Sequence, residues 1–489
     1  MSRAFPGVAR TRVARDARAG GGGSRGRSAV SPVCTRPSAD PLAVTARSEA
    51  RKRVLRRALA DADFGGRHGI VDAYHGETGL PVHPSAAAAL DRAWSELRAQ
   101  YRDAASYDKR QPLILRELAA RRLFGRLDHP VAEVAGIAVR PEEVVVAPYS
   151  STILLEEAVA TIARPGGVLV CPEGFYKSSS IHVAKFGLRM VPCPVAPDAA
   201  FKIDPERLAR CLAEVAASGA LCGVLLTLPG NPVYADYSER ELRDIAEVLH
   251  RSGVPVICDM AFDCLVAQHI PIASLELSVG RMYDRVLTIT GNSKGYNAFG
   301  PCKMGAACTG DAAWLARIRE RLTISFQRES THLARAILEH TPDTYFAHNR
   351  TLMLARQDRA LAGIAAINAA GGAPLLRPLG AAEGMFLSLA FDPDLLDAAG
   401  VETSSELEDL LLVASGVDSV ALDRTGSARL GVRLNVIAPR RGPGQGSVDL
   451  LDELFIRIGE LLARLRAGLT YREALAERGL PELEPLGCQ

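Results

Sequence analysis

Between residues 143 and 310 one unit repeats: a run of four or five apolar residues without polar alternation, then a stretch of helical periodicity. The runs fall at 144–147, 168–171, 190–193, 224–227, 254–258, 286–289 and 304–308. Unalternated runs of this length are what parallel strands buried on both faces require. Strands that alternate with helices are joined by crossovers around one central sheet. The pattern therefore predicts an α/β fold, a large domain whose mostly parallel central sheet is flanked by helices. In an open sheet of this kind ligands bind at the carboxyl ends of the strands. The residues just after each run are thus the candidates for function.

The flanking segments differ. From about 50 to 125 apolar residues recur at three- and four-residue steps, as at Leu90, Trp94, Leu97 and Tyr101. Beyond about 345 a long helix precedes a strand at 384–390, a helix at 404–415, a strand at 428–437 and a helix at 448–466. Together these predict a smaller α+β domain built from N- and C-terminal segments. The expected division is a disordered Arg/Gly-rich arm (1–48), an N-terminal segment of the small domain (49–125), the large domain (126–345) and a C-terminal small domain (346–489).

Charge and cysteine usage exclude several classes. The net charge of +2 is uneven, because the arm holds nine arginines against Asp16 and Asp40. The remainder is mildly acidic, which gives nucleic-acid binding no electrostatic support. The glycine run at 20–23 cannot bury enough surface to order itself. An Arg-rich, acid-poor terminus also has the composition of an organelle transit peptide, although no amphipathic period accompanies it. No apolar stretch is long enough to span a bilayer, so no membrane partner is expected. The ten cysteines form no Cys-x-x-Cys pair and lie mostly in apolar runs. That is the pattern of buried thiols in a reducing compartment, and it predicts a cytoplasmic protein with no metal site.

The strand ends carry one chemistry. Pro148-Tyr-Ser-Ser-Thr152 opens a helix, so Ser151 and Thr152 offer free backbone N–H groups to an anion. Phe175 stands beside a Pro/Gly turn, where it could stack on a planar group. Asn231 lies in Pro-Gly-Asn231-Pro, and Asp259 ends a buried strand, where a carboxylate must find a cation or a donor. Ser293-Lys294 follows the sixth run. A lysine there can act as a Schiff-base nucleophile if desolvation or a cationic neighbour keeps part of it neutral. An anion cradle, a stacking ring, an amide, a carboxylate and a lysine are the groups that pyridoxal 5′-phosphate needs.

In the order Ser150-Ser-Thr152, Phe175, Asn231-Pro232, Asp259, Ser293-Lys294 and Arg433, the chain resembles the class I/II aminotransferases, fold-type I enzymes of pyridoxal phosphate. The resemblance runs from about residue 70 to 465. It implies that Lys294 is the Schiff-base lysine and proton shuttle. Asp259 would hold the pyridine nitrogen, Asn231 the phenolate oxygen and Phe175 the ring face, with Ser151, Thr152 and Ser293 at the phosphate. Arg433 would clamp the substrate α-carboxylate, with Arg429 as its fallback on the same strand face. Gly76 would approach the substrate. Tyr107, ahead of Leu113-Ile-Leu-Arg116, would reach phosphate across a homodimer interface. The implied activity is amino transfer from an amino acid, with a 2-oxo acid as the other partner.

Four positions depart from the family pattern. Phe262 stands where a tyrosine is usual, and Gly291 replaces a serine three residues before Lys294, leaving Thr290 or Ser293 to donate. Cys302-Lys303 replaces an arginine, so Lys303 is expected to be the phosphate cation. Val233-Tyr234 follows the Asn-Pro motif in place of a small residue and glycine. Losing the phenol donor keeps open a pyridoxal-phosphate-dependent lyase, cyclase or oxygen-dependent oxidase. A non-catalytic, aminotransferase-like sensor is a remoter alternative.

Overall fold

The computed structural model describes residues 40–100, 107–125, 137–266, 269–441 and 449–480. The first helix, α1 (Pro41–Ala58), begins where the Asp40 carboxylate accepts from the Leu42 N–H and Pro41 occupies the first turn. A first-turn proline costs nothing because its missing N–H would have had no helical partner. The arm expected to reach residue 48 is therefore shorter: residues 41–48 are helical, with Val44, Thr45 and Ser48 buried. Asp40-Pro41 is the capping signal that the sequence reading passed over. The rest of the arm, residues 1–39, lies outside the described residues.

All seven apolar runs become strands of one sheet. They are β1 (Val144–Pro148), β2 (Val168–Pro172), β3 (Arg189–Cys193), β4 (Leu221–Thr227), β5 (Val256–Asp259), β6 (Val286–Gly291) and β7 (Met304–Cys308). Their order is β1-β7-β6-β5-β4-β2-β3. Only β7 runs against its neighbours, so the sheet is mostly parallel, as expected. Successive side chains point to opposite faces. Val144 and Val146 accordingly enter one apolar cluster, while Val145 and Ala147 enter another. Two covered faces explain why these strands show no polar alternation.

The helices between the strands have legible ends. α2 (Ser151–Ile162) is capped by the Ser150 hydroxyl, which accepts from the Thr152 N–H at 3.0 Å. In α3 (Glu239–Ser252), Ser238 and Glu241 cap each other reciprocally, and Gly253 at φ 70° terminates the helix. α4 (Asp343–Gly371) follows Pro342 and ends at Gly372 with φ 63°.

A second, antiparallel sheet has the order β8-β9-β11-β10, formed by β8 (Leu376–Leu379), β9 (Phe386–Phe391), β10 (Val420–Ala421) and β11 (Gly431–Asn435). The sequence reading held only β9 and β11. β8 carries Pro378 and sits at an edge, where a missing donor is tolerated, and β10 has two residues. A short parallel pairing of Val71–Asp72 with Val417–Asp418 ties the N-terminal segment to this region. The last long helix is α5 (Leu451–Arg466). No described helix is long and apolar enough to cross a membrane.

Candidate active site

The register of the central sheet brings three strand ends together. Thr227 pairs with Asp259, and Asp259 with Ile289. Asp259 ends β5 with its carboxylate accepting from the Ala261 N–H at 3.2 Å. It forms no ion pair among the described residues. Burial raises its carboxyl to about 6, against the opposing pull of that N–H and of Lys294. A buried carboxylate in this condition lacks a cationic donor.

Lys294 lies three residues beyond β6 and donates to the Gly76 carbonyl oxygen. Burial and then the Lys303 charge push its ammonium down to about 8, although Glu77 and Asp259 favour the charged form. The Phe262 ring lies 6.0 Å from the Lys294 Nζ and meets Phe386 edge to face at 5.5 Å. The position that lacks a phenol thus forms an apolar wall beside the amine.

On one side of Lys294 the start of α2 meets β7. A Cβ on Gly305 would come within 2.6–2.8 Å of Ser151 Cα, Ser151 N and Ser150 O. Glycine is needed there for the strand to touch the helix N-terminus. Gly291 pairs with Gly305, and a Cβ on Gly291 would lie 2.7 Å from the Met304 carbonyl oxygen. This crowding gives a physical reason for the missing serine. Thr290 is already committed, its hydroxyl donating to Met260 O at 3.2 Å. Ser293 stays partly open beside Lys294. Lys303 is also partly open and forms no ion pair among the described residues. Its carbonyl accepts from Tyr149 N at 2.9 Å, which holds the residue beside the start of α2.

On the other side stands Arg433 of β11, buried to 3% exposure. Its Nη1 donates to Asn231 Oδ1 at 3.0 Å and its Nη2 to the Tyr74 carbonyl. The guanidinium stacks on Phe386 at 3.9 Å, and Nε has no partner. Burial lowers the group to about 10. No carboxylate pairs with it among the described residues. Gly76 borders the same space, since a Cβ there would lie 3.8 Å from Lys294 Nζ and 4.0 Å from Phe386. Arg429 is spent elsewhere, donating to the Asp198 and Ala196 carbonyls and stacking on Phe201 at 4.7 Å.

One expected residue is misplaced. Phe175 is 1% exposed and packs against Gly426 in the core, so it does not line the cleft. Tyr176, next in the chain, is partly open and lies within electrostatic reach of Arg433. Neighbouring residues after a strand face opposite ways, and the choice between two adjacent aromatics was not legible. Tyr107 is 74% exposed and pairs with Gln327, with no contact to these groups among the described residues. Tyr74 and Phe386 also escaped the sequence reading. Tyr74 lies two residues before Gly76, which was the available signal, whereas Phe386 had none. Among the described residues no cluster of His, Cys, Asp and Glu could hold a metal.

Comparison with known proteins gives three findings. A family profile described as aminotransferase class I and II matches residues 71–421. A relative from Mycobacterium tuberculosis, named probable N-succinyldiaminopimelate aminotransferase DapC, is 31% identical over 238 residues. That match covers 47% of this chain and 57% of the relative, so the chain spans little more than half the length of the curated protein. Among solved structures, the aspartate aminotransferase from Rhizobium meliloti superposes with a TM-score of 0.67 at 19% identity, over 86% of this chain and 96% of that one. A Thermus thermophilus aspartate aminotransferase mutant gives 0.66 at 18% identity, with the same coverage. At these identities the structural likeness concerns the fold.

Proposed function

The chain belongs to the class I and II aminotransferases, whose cofactor is pyridoxal 5′-phosphate, and from that premise we propose that it moves the α-amino group of an amino acid to a 2-oxo acid. One observation carries the reading. Among the described residues, a desolvated carboxylate with no ion-pair partner and a buried guanidinium with no carboxylate partner lie within electrostatic reach of an amine held near 8, beyond the carboxyl ends of the central strands.

These residues fit the cofactor. Asp259 would hold its pyridinium N–H, and Asn231 would donate to its phenolate oxygen. The start of α2 at Ser151 and the Thr152 hydroxyl, with Ser293 and Lys303, would hold its phosphate, the Thr152 N–H being taken by the Ser150 cap. Tyr176 takes over from Phe175 as the ring for its face. Bound there, pyridoxal phosphate supplies an electron sink for the charge left when the substrate α-proton departs.

The chain's own groups supply the rest. Arg433 receives the substrate carboxylate as a planar fork already held by Asn231 and Tyr74, so little order is lost on binding. Phe386 beneath it and Phe262 beside Lys294 keep water from both groups. Neutral Lys294 Nζ would be the amine that holds the cofactor and the base that takes the proton from the substrate Cα. A pKa near 8 leaves a usable share of free amine at neutral pH.

The mycobacterial relative's name makes N-succinyldiaminopimelate the first substrate to test. Phe262 favours a second reading, elimination, cyclisation or oxidation, because no phenol donates at that position. Product analysis separates the two: amino transfer yields one pyridoxamine phosphate and one 2-oxo acid per site, whereas the rivals leave the cofactor in its aldehyde form, elimination and oxidation releasing ammonia and cyclisation keeping the nitrogen in its product. We further propose a homodimer in the cytoplasm. Tyr107, Leu113, Tyr149, Phe299 and Ile324 are exposed on segments linked by the Tyr107–Gln327 pairing and the Tyr149–Lys303 hydrogen bond. Such a patch suits an interface, with Tyr107 reaching the phosphate of the partner's site.

A further inference from the structure

The acceptors of Arg433 are held by a wider set of side chains. Arg433 has two protein acceptors, Asn231 Oδ1 and the Tyr74 carbonyl. The direction of its fork therefore depends on where Tyr74 sits. Tyr74 is fixed unusually well for a loop residue. Its N–H donates to Asp72 Oδ1 at 3.0 Å. The ammonium groups of Lys52 and Lys177 lie 4.0 and 4.2 Å from its ring centroid. Its hydroxyl bonds to Glu49 Oε1 and to Lys177 Nζ.

Glu49 gathers this set. It stands on α1, before the family match begins at residue 71. Its Oε1 accepts from the Tyr74 hydroxyl, from Lys177 Nζ at 3.0 Å and from Arg424 Nη2. Burial opposes its charge, yet Arg424 and Lys177 hold the carboxyl well below the usual range. Arg424 is fully buried and also pairs with Glu408, while Lys52 pairs with Glu408 and Asp418. Lys52, Lys177 and Arg424 around Tyr74 are thus already paired with carboxylates, whereas Arg433 has no carboxylate partner among the described residues. The cluster supports the clamp without competing for the substrate carboxylate.

We propose that Glu49 is a positioning residue for substrate binding: through the Tyr74 hydroxyl it fixes the Tyr74 carbonyl, and through that carbonyl the Arg433 fork. Removing its charge takes from Lys177, Arg424 and the Tyr74 hydroxyl the acceptor they share. The segment 74–76 then drifts, and Arg433 loses one of its two acceptors. The effect falls on carboxylate binding more than on the proton transfer at Lys294. This inference rests on Arg433 being the carboxylate clamp.

The test uses full-length protein loaded with pyridoxal phosphate. It is titrated with L-glutamate, L-lysine, L-phenylalanine and N-succinyl-LL-diaminopimelate, and the cofactor absorbance is followed. Glu49→Gln and, independently, Tyr74→Phe should each weaken the apparent affinity roughly fivefold to tenfold, with the limiting rate of the spectral change moved less than about twofold. In an Arg433→Gln background, Glu49→Gln should add nothing, because two residues acting through one group are not additive. Glu49→Asp should recover part of the loss. If Arg433→Gln weakens binding while Glu49→Gln and Tyr74→Phe do not, or if Glu49→Gln adds its full effect in the double variant, the proposal is wrong. If Arg433→Gln leaves all affinities unchanged, or no titrant responds, the clamp reading falls and the proposal falls with it.

Discussion

Lys294 shares its surroundings with two other cations and one buried carboxylate, and the balance among them sets its chemistry. Burial and Lys303 depress the amine to about 8 while Glu77 and Asp259 pull the other way. Protonation blocks a nucleophile, so the rate at which cofactor-free protein captures pyridoxal phosphate should rise with pH up to about 8 and then level. An ordinary lysine would keep climbing for about two further units. Stopped-flow absorbance across that range measures it. Asp259 works with the opposite sign: its carboxyl is raised to about 6, so affinity for the cofactor should fall as acidification through that value neutralises it. Asp259→Asn removes the charge at every pH. Losing a charge-assisted hydrogen bond of about 1.5–3 kcal/mol should weaken cofactor binding by roughly ten- to a hundredfold, measurable by equilibrium dialysis. Arg433→Lys replaces a fork by a point charge. It should lower kcat/KM for an amino acid by about 2 kcal/mol or more, roughly thirtyfold, with the corresponding amine affected far less.

At the scale of elements, the site depends on how closely β7 and β6 approach their neighbours. Gly305→Ala would press a methyl group into the backbone at Ser150 and Ser151. We expect a loss of about 1–3 kcal/mol in unfolding free energy by denaturant titration, together with weaker phosphate binding, because the start of α2 must shift. Gly291→Ser restores the family's usual residue yet should also destabilise, since Met304 O stands 2.7 Å from where its Cβ would be. Elements of this kind differ in how much of them the sequence discloses. Six of the seven central strands were readable because both faces are buried and the apolar run is continuous; β3, at the edge, is partly exposed but keeps the apolar run. β8 and β10 were not, one interrupted by Pro378 and the other held by pairing to β11 over two residues. Asp259, Asn231 and Lys294 were readable because they follow strands, where topology alone fixes position. Tyr74 was not, because its place depends on α1, Lys177 and Arg424, which lie far apart in the chain.

Over the whole molecule, residues from both ends converge on the cleft in the central sheet. Glu49 and Tyr74 come from the N-terminal segment, Arg433 from the second sheet, and Asp259 and Lys294 from the first. We propose that the N- and C-terminal segments form a small domain beside the central sheet. The exposed patch around Tyr107 and Phe299 predicts a dimer in sedimentation velocity, and Phe299→Asp should shift it toward monomer by placing a charge in an apolar contact. The central claim is that Lys294 and its neighbours transfer an amino group. Its most direct measurement is the stoichiometry of a half-reaction: protein loaded with pyridoxal phosphate is mixed, without a 2-oxo acid, with each of the twenty amino acids and with N-succinyl-LL-diaminopimelate. At least one is expected to convert the cofactor to pyridoxamine phosphate, one 2-oxo acid per site, and Lys294→Ala to slow this by about 100-fold or more. Turnover that releases ammonia with no pyridoxamine phosphate, or no conversion by any of these amino donors, would contradict it.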